Sequence, residues 1–131
     1  ILIETQNNSG HWVALLRDGN RIEQHDSYGC PLEQELNFIS STMNRLLGQS
    51  KKEFHQLMNT IDDEDELVYN KARLQAENPE ISTCGRHVCL RVQMFLIGYS
   101  LEEYLDFLQN HHDETGLPID VIVCNFVPLV R

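Results

Sequence analysis

The chain has 131 residues, 41% of them hydrophobic, with 10 Lys plus Arg set against 20 Asp plus Glu. That is enough to bury one core and too little for two domains. The formal net charge of −10 argues against a nucleic-acid partner, because phosphate affinity comes mainly from Lys and Arg, and no apolar run approaches the roughly 20 residues of a membrane-spanning helix.

The chain opens on Ile1-Leu2-Ile3 with neither an initiator Met nor a signal-peptide pattern. It therefore reads as a single domain, residues 1–131, taken from a longer polypeptide. Four cysteines, Cys30, Cys84, Cys89 and Cys124, would suffice for two disulfides, but a domain of this size does not need them. Reduced thiols and an intracellular setting are the expectation. Cys84-x-x-His87-x-Cys89 departs from the usual zinc spacings, so no metal and no cofactor is expected.

Ile1 to Thr5 reads as a short strand and Gln6 to Gly10 as a loop. His11 to Arg17 is a strong strand, and Asp18-Gly19-Asn20 is a hairpin turn. Arg21 to Asp26 returns antiparallel and closes on Ser27-Tyr28-Gly29. This hairpin brings His11 opposite Asp26, the relation a carboxylate needs to orient an imidazole. Alternation puts His25 on the other face.

Leu32, Leu36, Ile39, Met43 and Leu46 recur as one helical stripe that Gly48 ends. Phe54, Leu57, Met58 and Ile61 mark a shorter helix. Asp62 to Glu66 reads as an acidic surface loop, since it lacks the spaced ligands and Gly of a calcium loop. Leu67 to Asn70 is a further strand, and residues 71–82 form an irregular approach to the next helix. That helix begins at Thr83-Cys84-Gly85, with Ser82 or Thr83 as its cap, and runs to Gly98. Cys84, Val88, Val92 and Phe95 share its apolar face. Ser100 and Glu103 form a capping box for a helix through Leu101, Tyr104, Leu105 and Leu108. His111 to Glu114 reads as its frayed end. The apolar run from Ile119 to Val130 reads as a strand or packed segment. The fold class is α+β: an antiparallel-centred mixed sheet packed against helices, with a buried helix carrying Cys84.

A cysteine in the first turn of a helix feels unpaired N–H groups and the positive end of the dipole, both of which favour thiolate. Alone, it reads as a small buried hydrophobe, His11 as an ordinary strand residue, and Asp26 as a turn former. Together, the three supply a nucleophile, a base and a group to orient the base. Their chain order, His then Asp then Cys, excludes the papain arrangement. His87, one turn from Cys84, reads as structural, Cys89 and Cys124 as core, and Cys30 as a loop thiol.

Gly10-His11-Trp12-Val13, His25-Asp26-Ser27-Tyr28-Gly29, Tyr69-Asn70 with Gln75, and Thr83-Cys84-Gly85-Arg86-His87-Val88 occur together in one order. In these the chain resembles the adenovirus-protease and SUMO-protease group of cysteine peptidases, above all those encoded by large DNA viruses and virus-like mobile elements. The resemblance implies that His11 is the general base, that Asp26 orients it, and that Cys84 attacks the scissile carbonyl. It further implies a Gln donor to the oxyanion. Gln75 takes that place, although its distance from Cys84 is long for the family, and Asn78 is the alternative. Trp12 would narrow the cleft in favour of Gly in the substrate. The implied activity is that of a thiol endopeptidase on viral precursor proteins, in the host cytoplasm or nucleus. A peptidase acting on ubiquitin-like modifiers and an inactive binding module of the same fold are the alternatives.

Overall fold

The structure is a computed structural model, and it describes residues 1–31, 34, 36–49, 56 and 59–129. Four strands form one sheet in the order β1 (Leu2–Gln6), β2 (Ser9–Asp18), β3 (Arg21–Asp26), β4 (Glu66–Tyr69). β1, β2 and β3 pair antiparallel, whereas β4 runs parallel to β3. The α+β class and the mixed, antiparallel-centred sheet are as the sequence indicates.

The segment at residues 6–10 is tighter than a loop. β1 runs to Gln6 and β2 starts at Ser9, so Asn7 and Asn8 make the connection, with Asn8 at φ 58°. Asn accepts that left-handed conformation better than most residues.

The described part of the stripe, Leu36 to Leu46, is not one helix. A 3₁₀ turn at Leu36–Phe38 is followed by α1 (Ser41–Leu46). Ser40 separates them, its hydroxyl accepting from the Met43 N–H at 3.2 Å, and N-capping starts the helix afresh. Leu36 is buried, but Met43 and Leu46 face outward. Leu32 lies outside the described residues, as do Phe54, Leu57 and Met58 of the second expected helix. The acidic loop is a turn closed by Asp65, which accepts from the Asp62 N–H and from Arg17, and Glu66 already belongs to β4.

Three helices follow: α2 (Cys84–Leu96), α3 (Leu101–Thr115) and α4 (Ile119–Phe126). The capping box at α3 is complete, with Glu103 N–H donating to Ser100 Oγ at 3.1 Å and Ser100 N–H to the Glu103 carboxylate at 2.8 Å. α3 continues in regular form through His111 and His112 to Thr115, so no frayed end is present. The last apolar run is a helix and not a strand. Its β-branched residues follow their packing, with Ile122 and Val123 buried against Leu90, Met94, Tyr104 and Leu108, and packing of that kind overrides intrinsic propensity.

That cluster fills the core between the helices. A smaller one, Ile3, Val13 and Leu36 with Leu15 and Ile39, covers the opposite face of the sheet. β3 therefore runs between two packed layers, with every residue from Ile22 to Asp26 buried.

The buried face of α2 is not Cys84, Val88, Val92 and Phe95. It is Cys84, His87, Leu90, Arg91 and Met94. The reason is an ion pair: Arg91 donates to both Glu23 oxygens, Nε at 2.6 Å and Nη2 at 2.7 Å, with Arg91 fully buried. A bidentate guanidinium–carboxylate pair satisfies both charges well enough to be enclosed, and it turns the helix toward β3. Cys89, on the other side, is exposed, and Cys124 is half-buried. Neither is a core residue.

Candidate active site

His11 sits on β2 opposite Ile3 of β1. The preceding Gly10 lets the two strands approach closely: a Cβ there would lie 2.0 Å from the Ile3 carbonyl oxygen. No side chain fits in that space, so the Gly-His order is a steric requirement for placing His11 at this level of the sheet.

Asp26 ends β3, where its partner across the ladder is Val13 rather than His11. The expectation that His11 and Asp26 stand directly opposite is off by two residues. Positions 11 and 13 share a face, so Asp26 reaches His11 on the diagonal. His11 Nε2 lies 2.6 Å from Asp26 Oδ1. The carboxylate also accepts from the Tyr28 N–H at 2.9 Å and the Cys30 N–H at 3.2 Å. Its backbone is clamped by Asn70, whose side chain accepts from the Asp26 N–H and donates to the Asp26 carbonyl. Gly29, at φ 73°, lets the turn after Asp26 pass against Ala72, whose carbonyl oxygen would be 2.8 Å from a Cβ. Tyr28 stacks on the His11 ring, with centroids 4.7 Å apart. The ring is thus held by a carboxylate at its edge and a phenol on its face.

Cys84 is the first residue of α2 and is buried. Burial pushes its thiol up, but a hydrogen bond with the His11 ring, and others with the Trp12 and Gly85 backbone, outweigh this and hold it below the ordinary thiol range. Because Nε2 of His11 is taken by Asp26, Nδ1 is the nitrogen left for the sulfur. His25 takes no part. It lies fully buried with its ring edge-on to Tyr104, and burial lowers its pKa to about 3, so it is neutral and enclosed.

Gln75 lies beside these groups and Asn78 does not. Gln75 is buried and lines a cleft of about 410 Å³ together with His11, Tyr28, Ile81 and Cys84. Its amide is oriented by Ser27, whose hydroxyl donates to Gln75 Oε1 at 2.7 Å. Nε2 then donates to the Tyr28 hydroxyl and the Ile81 carbonyl, both at 3.2 Å. Asn78 is exposed, with its side chain accepting from the Glu80 N–H. A second cleft of about 550 Å³ opens on the other side of Cys84, lined by Trp12, Gly85, Arg86 and residues 127–129. Trp12 packs along Gly85, its Cδ1 3.6 Å from where a Cβ would stand. Ser9, Gly10, Ser82 and Cys84 belong to both clefts, so Cys84 stands where they join.

No family model matches this chain, and no solved structure matches it. It is similar to the uncharacterized protein V9 of the Sputnik virophage, 29% identical over 117 residues. The match takes in 88% of this chain and 66% of the length of that protein. The relative is a virophage protein, in keeping with the viral lean of the sequence, and its name carries no activity.

Sequence reading missed Asp120. This buried residue of α4 accepts from the Thr83 hydroxyl at 2.5 Å and the Ala76 N–H at 2.8 Å, and lies 3.1 Å from His87 Nε2. Thr83 therefore does not cap α2 with its side chain. His87, which the sequence reads as structural, is fully buried beside Asp120, and burial lowers its pKa despite that neighbour. Among the described residues no group of His, Cys, Asp and Glu is placed to hold a metal, and no helix is long and apolar enough to cross a membrane.

Proposed function

We propose that this domain is a thiol-dependent endopeptidase of the kind the sequence resembles, cutting viral precursor polypeptides after small residues such as Gly. The observation that carries the reading is the relay itself. A buried carboxylate lies 2.6 Å from one nitrogen of His11, and the same ring bonds a cysteine at a helix N-terminus whose thiol is already acidified.

In this reading His11 takes the thiol proton as Cys84 attacks the scissile carbonyl, and Asp26 stabilises the imidazolium that results. The oxyanion is met by the Cys84 N–H and by Gln75 Nε2, which turns from its 3.2 Å contact with the Tyr28 hydroxyl. Collapse of the intermediate sends the proton from His11 to the leaving amine and leaves a thioester. Water, deprotonated by His11, then hydrolyses the thioester and regenerates the thiol. Two clefts meeting at Cys84 suit a polypeptide that continues on both sides of the cut bond. Trp12, against Gly85 in the second cleft, is the side chain that would narrow it in favour of Gly, as the resemblance implies. No nucleic-acid cofactor enters the proposal. The net charge is −10, and Lys51-Lys52, the only adjacent basic pair in the chain, lies outside the described residues.

The test sets reactivity against exposure. Iodoacetamide near pH 7 should alkylate buried Cys84 ahead of exposed Cys89, and the protein should cleave quenched peptides with a Gly before the cut. Alkylation of Cys89 first, with no cleavage of any Gly-containing peptide, would overturn the proposal.

The oxyanion assignment has its own test. Gln75→Ala should lower kcat on the order of 10²-fold, the usual cost of removing one such donor, while Asn78→Ala should leave it nearly unchanged. The opposite ranking in steady-state kinetics would move the role to Asn78.

A further inference from the structure

Both oxygens of Asp120 leave their own helix. Oδ1 accepts from Thr83 and faces His87 Nε2, and Oδ2 accepts from the Ala76 N–H. Thr83 immediately precedes Cys84, and Ala76 immediately follows Gln75. One buried carboxylate thus ties down the residues next to the thiol and next to the amide. The eight residues between Gln75 and Cys84 form no helix or strand, so their regular hydrogen bonding cannot fix the spacing of those two groups. Asp120 ties the segment from outside at both of its ends, with α4 anchored by Ile122 and Val123 in the main core.

We infer that Asp120 is a positioning residue, which with Thr83 and His87 sets the distance between the Cys84 sulfur and the Gln75 amide. The inference rests on the peptidase reading. A carboxylate that served only to start α4 would favour its own helix N-terminus and would need no bonds to two distant segments. Misplacement of a reacting group by about 1 Å costs on the order of 10²-fold in rate, and the loss falls on kcat because substrate contacts elsewhere are unchanged.

The experiment measures peptide hydrolysis, thermal unfolding and Cys84 alkylation for wild type, Asp120→Asn, Thr83→Val and Thr83→Ser. Asp120→Asn keeps the volume but puts an N–H₂ against a donor. It should lower kcat about 10- to 100-fold, with KM within about twofold. Thr83→Val removes the hydroxyl and should also lower kcat, while Thr83→Ser restores it. If Asp120→Asn does not fold, the Val and Ser pair decides. Rates that fall only with the folded fraction, a change in KM alone, or equal rates for Val and Ser would overturn the inference. A wild type that is active, with labelled Cys84, beside variants of unchanged kcat defeats this inference alone. A wild type that neither cleaves nor is alkylated at Cys84 defeats the peptidase reading as well.

Discussion

Cys84→Ala is expected to abolish peptide hydrolysis and leave the fold intact. Without the sulfur no thioester forms, and the donors that would meet the oxyanion have no tetrahedral species to hold, so kcat/KM should fall by at least about 10⁴-fold. The structural cost is small. Cys84 is buried, but the change removes one atom at the mouth of two clefts. Destabilisation should be on the order of 1 kcal/mol, a fall in Tm of a few degrees. Cys89→Ala and Cys124→Ala serve as controls and should keep full activity, since Cys89 is exposed, Cys124 is half-buried, and neither lines the cleft that holds His11 and Gln75. Activity retained by Cys84→Ala, or lost in Cys89→Ala with the fold preserved, would reassign the nucleophile.

The residues proposed to act were legible because each carries a local signal. Gly10-His11-Trp12 opens a strand, Asp18-Gly19-Asn20 makes the hairpin, and Thr83-Cys84-Gly85 opens a helix. These signals placed His11, Asp26 and Cys84 at the ends of elements that the fold brings together. Even so, periodicity does not specify register. Asp18-Gly19 as the two-residue loop would set Asp26 opposite His11, whereas the loop is Gly19-Asn20, with Asp18 paired to Arg21, and it sets Asp26 opposite Val13.

Partners far apart in sequence were not legible. Arg91 carries no local signal of burial, and its partner Glu23 lies on β3. The helix face built on Val88, Val92 and Phe95 was wrong for that reason, because hydrophobicity alone cannot recognise a buried ion pair. Ser27 looked like turn chemistry, yet its hydroxyl aims the Gln75 amide. Asp120 lay inside an apolar run read as strand or packed segment, where a lone carboxylate gives no hint that it receives three groups from two other segments. The long interval between Gln75 and Cys84 was visible, but it read only as a departure from the family's spacing.

Asp26→Asn should lower kcat by about 10² to 10⁴-fold, the range associated with loss of a working acid–base pair. Whichever way the amide sits, one donor meets another. If Oδ1 keeps the His11 and Tyr28 contacts, the N–H₂ group faces the Cys30 N–H. If the amide turns, the N–H₂ faces His11 Nε2 and drives the ring to the tautomer that presents N–H, and not a lone pair, toward the sulfur. In neither case is the imidazolium stabilised by a charge. The effect on pH follows from the thiol. In the wild type Cys84 titrates below the ordinary thiol range because the His11 ring bonds it, so its alkylation rate should persist as pH falls below that range. Weakening the His11 cation weakens the thiolate paired with it, and the midpoint of alkylation against pH should move upward in Asp26→Asn. Thermal melts should remain within several degrees of wild type, since the Asn70 clamp acts on the Asp26 backbone and survives the substitution. An unmoved alkylation midpoint together with kcat within a few fold of wild type would show that Asp26 only shapes the turn.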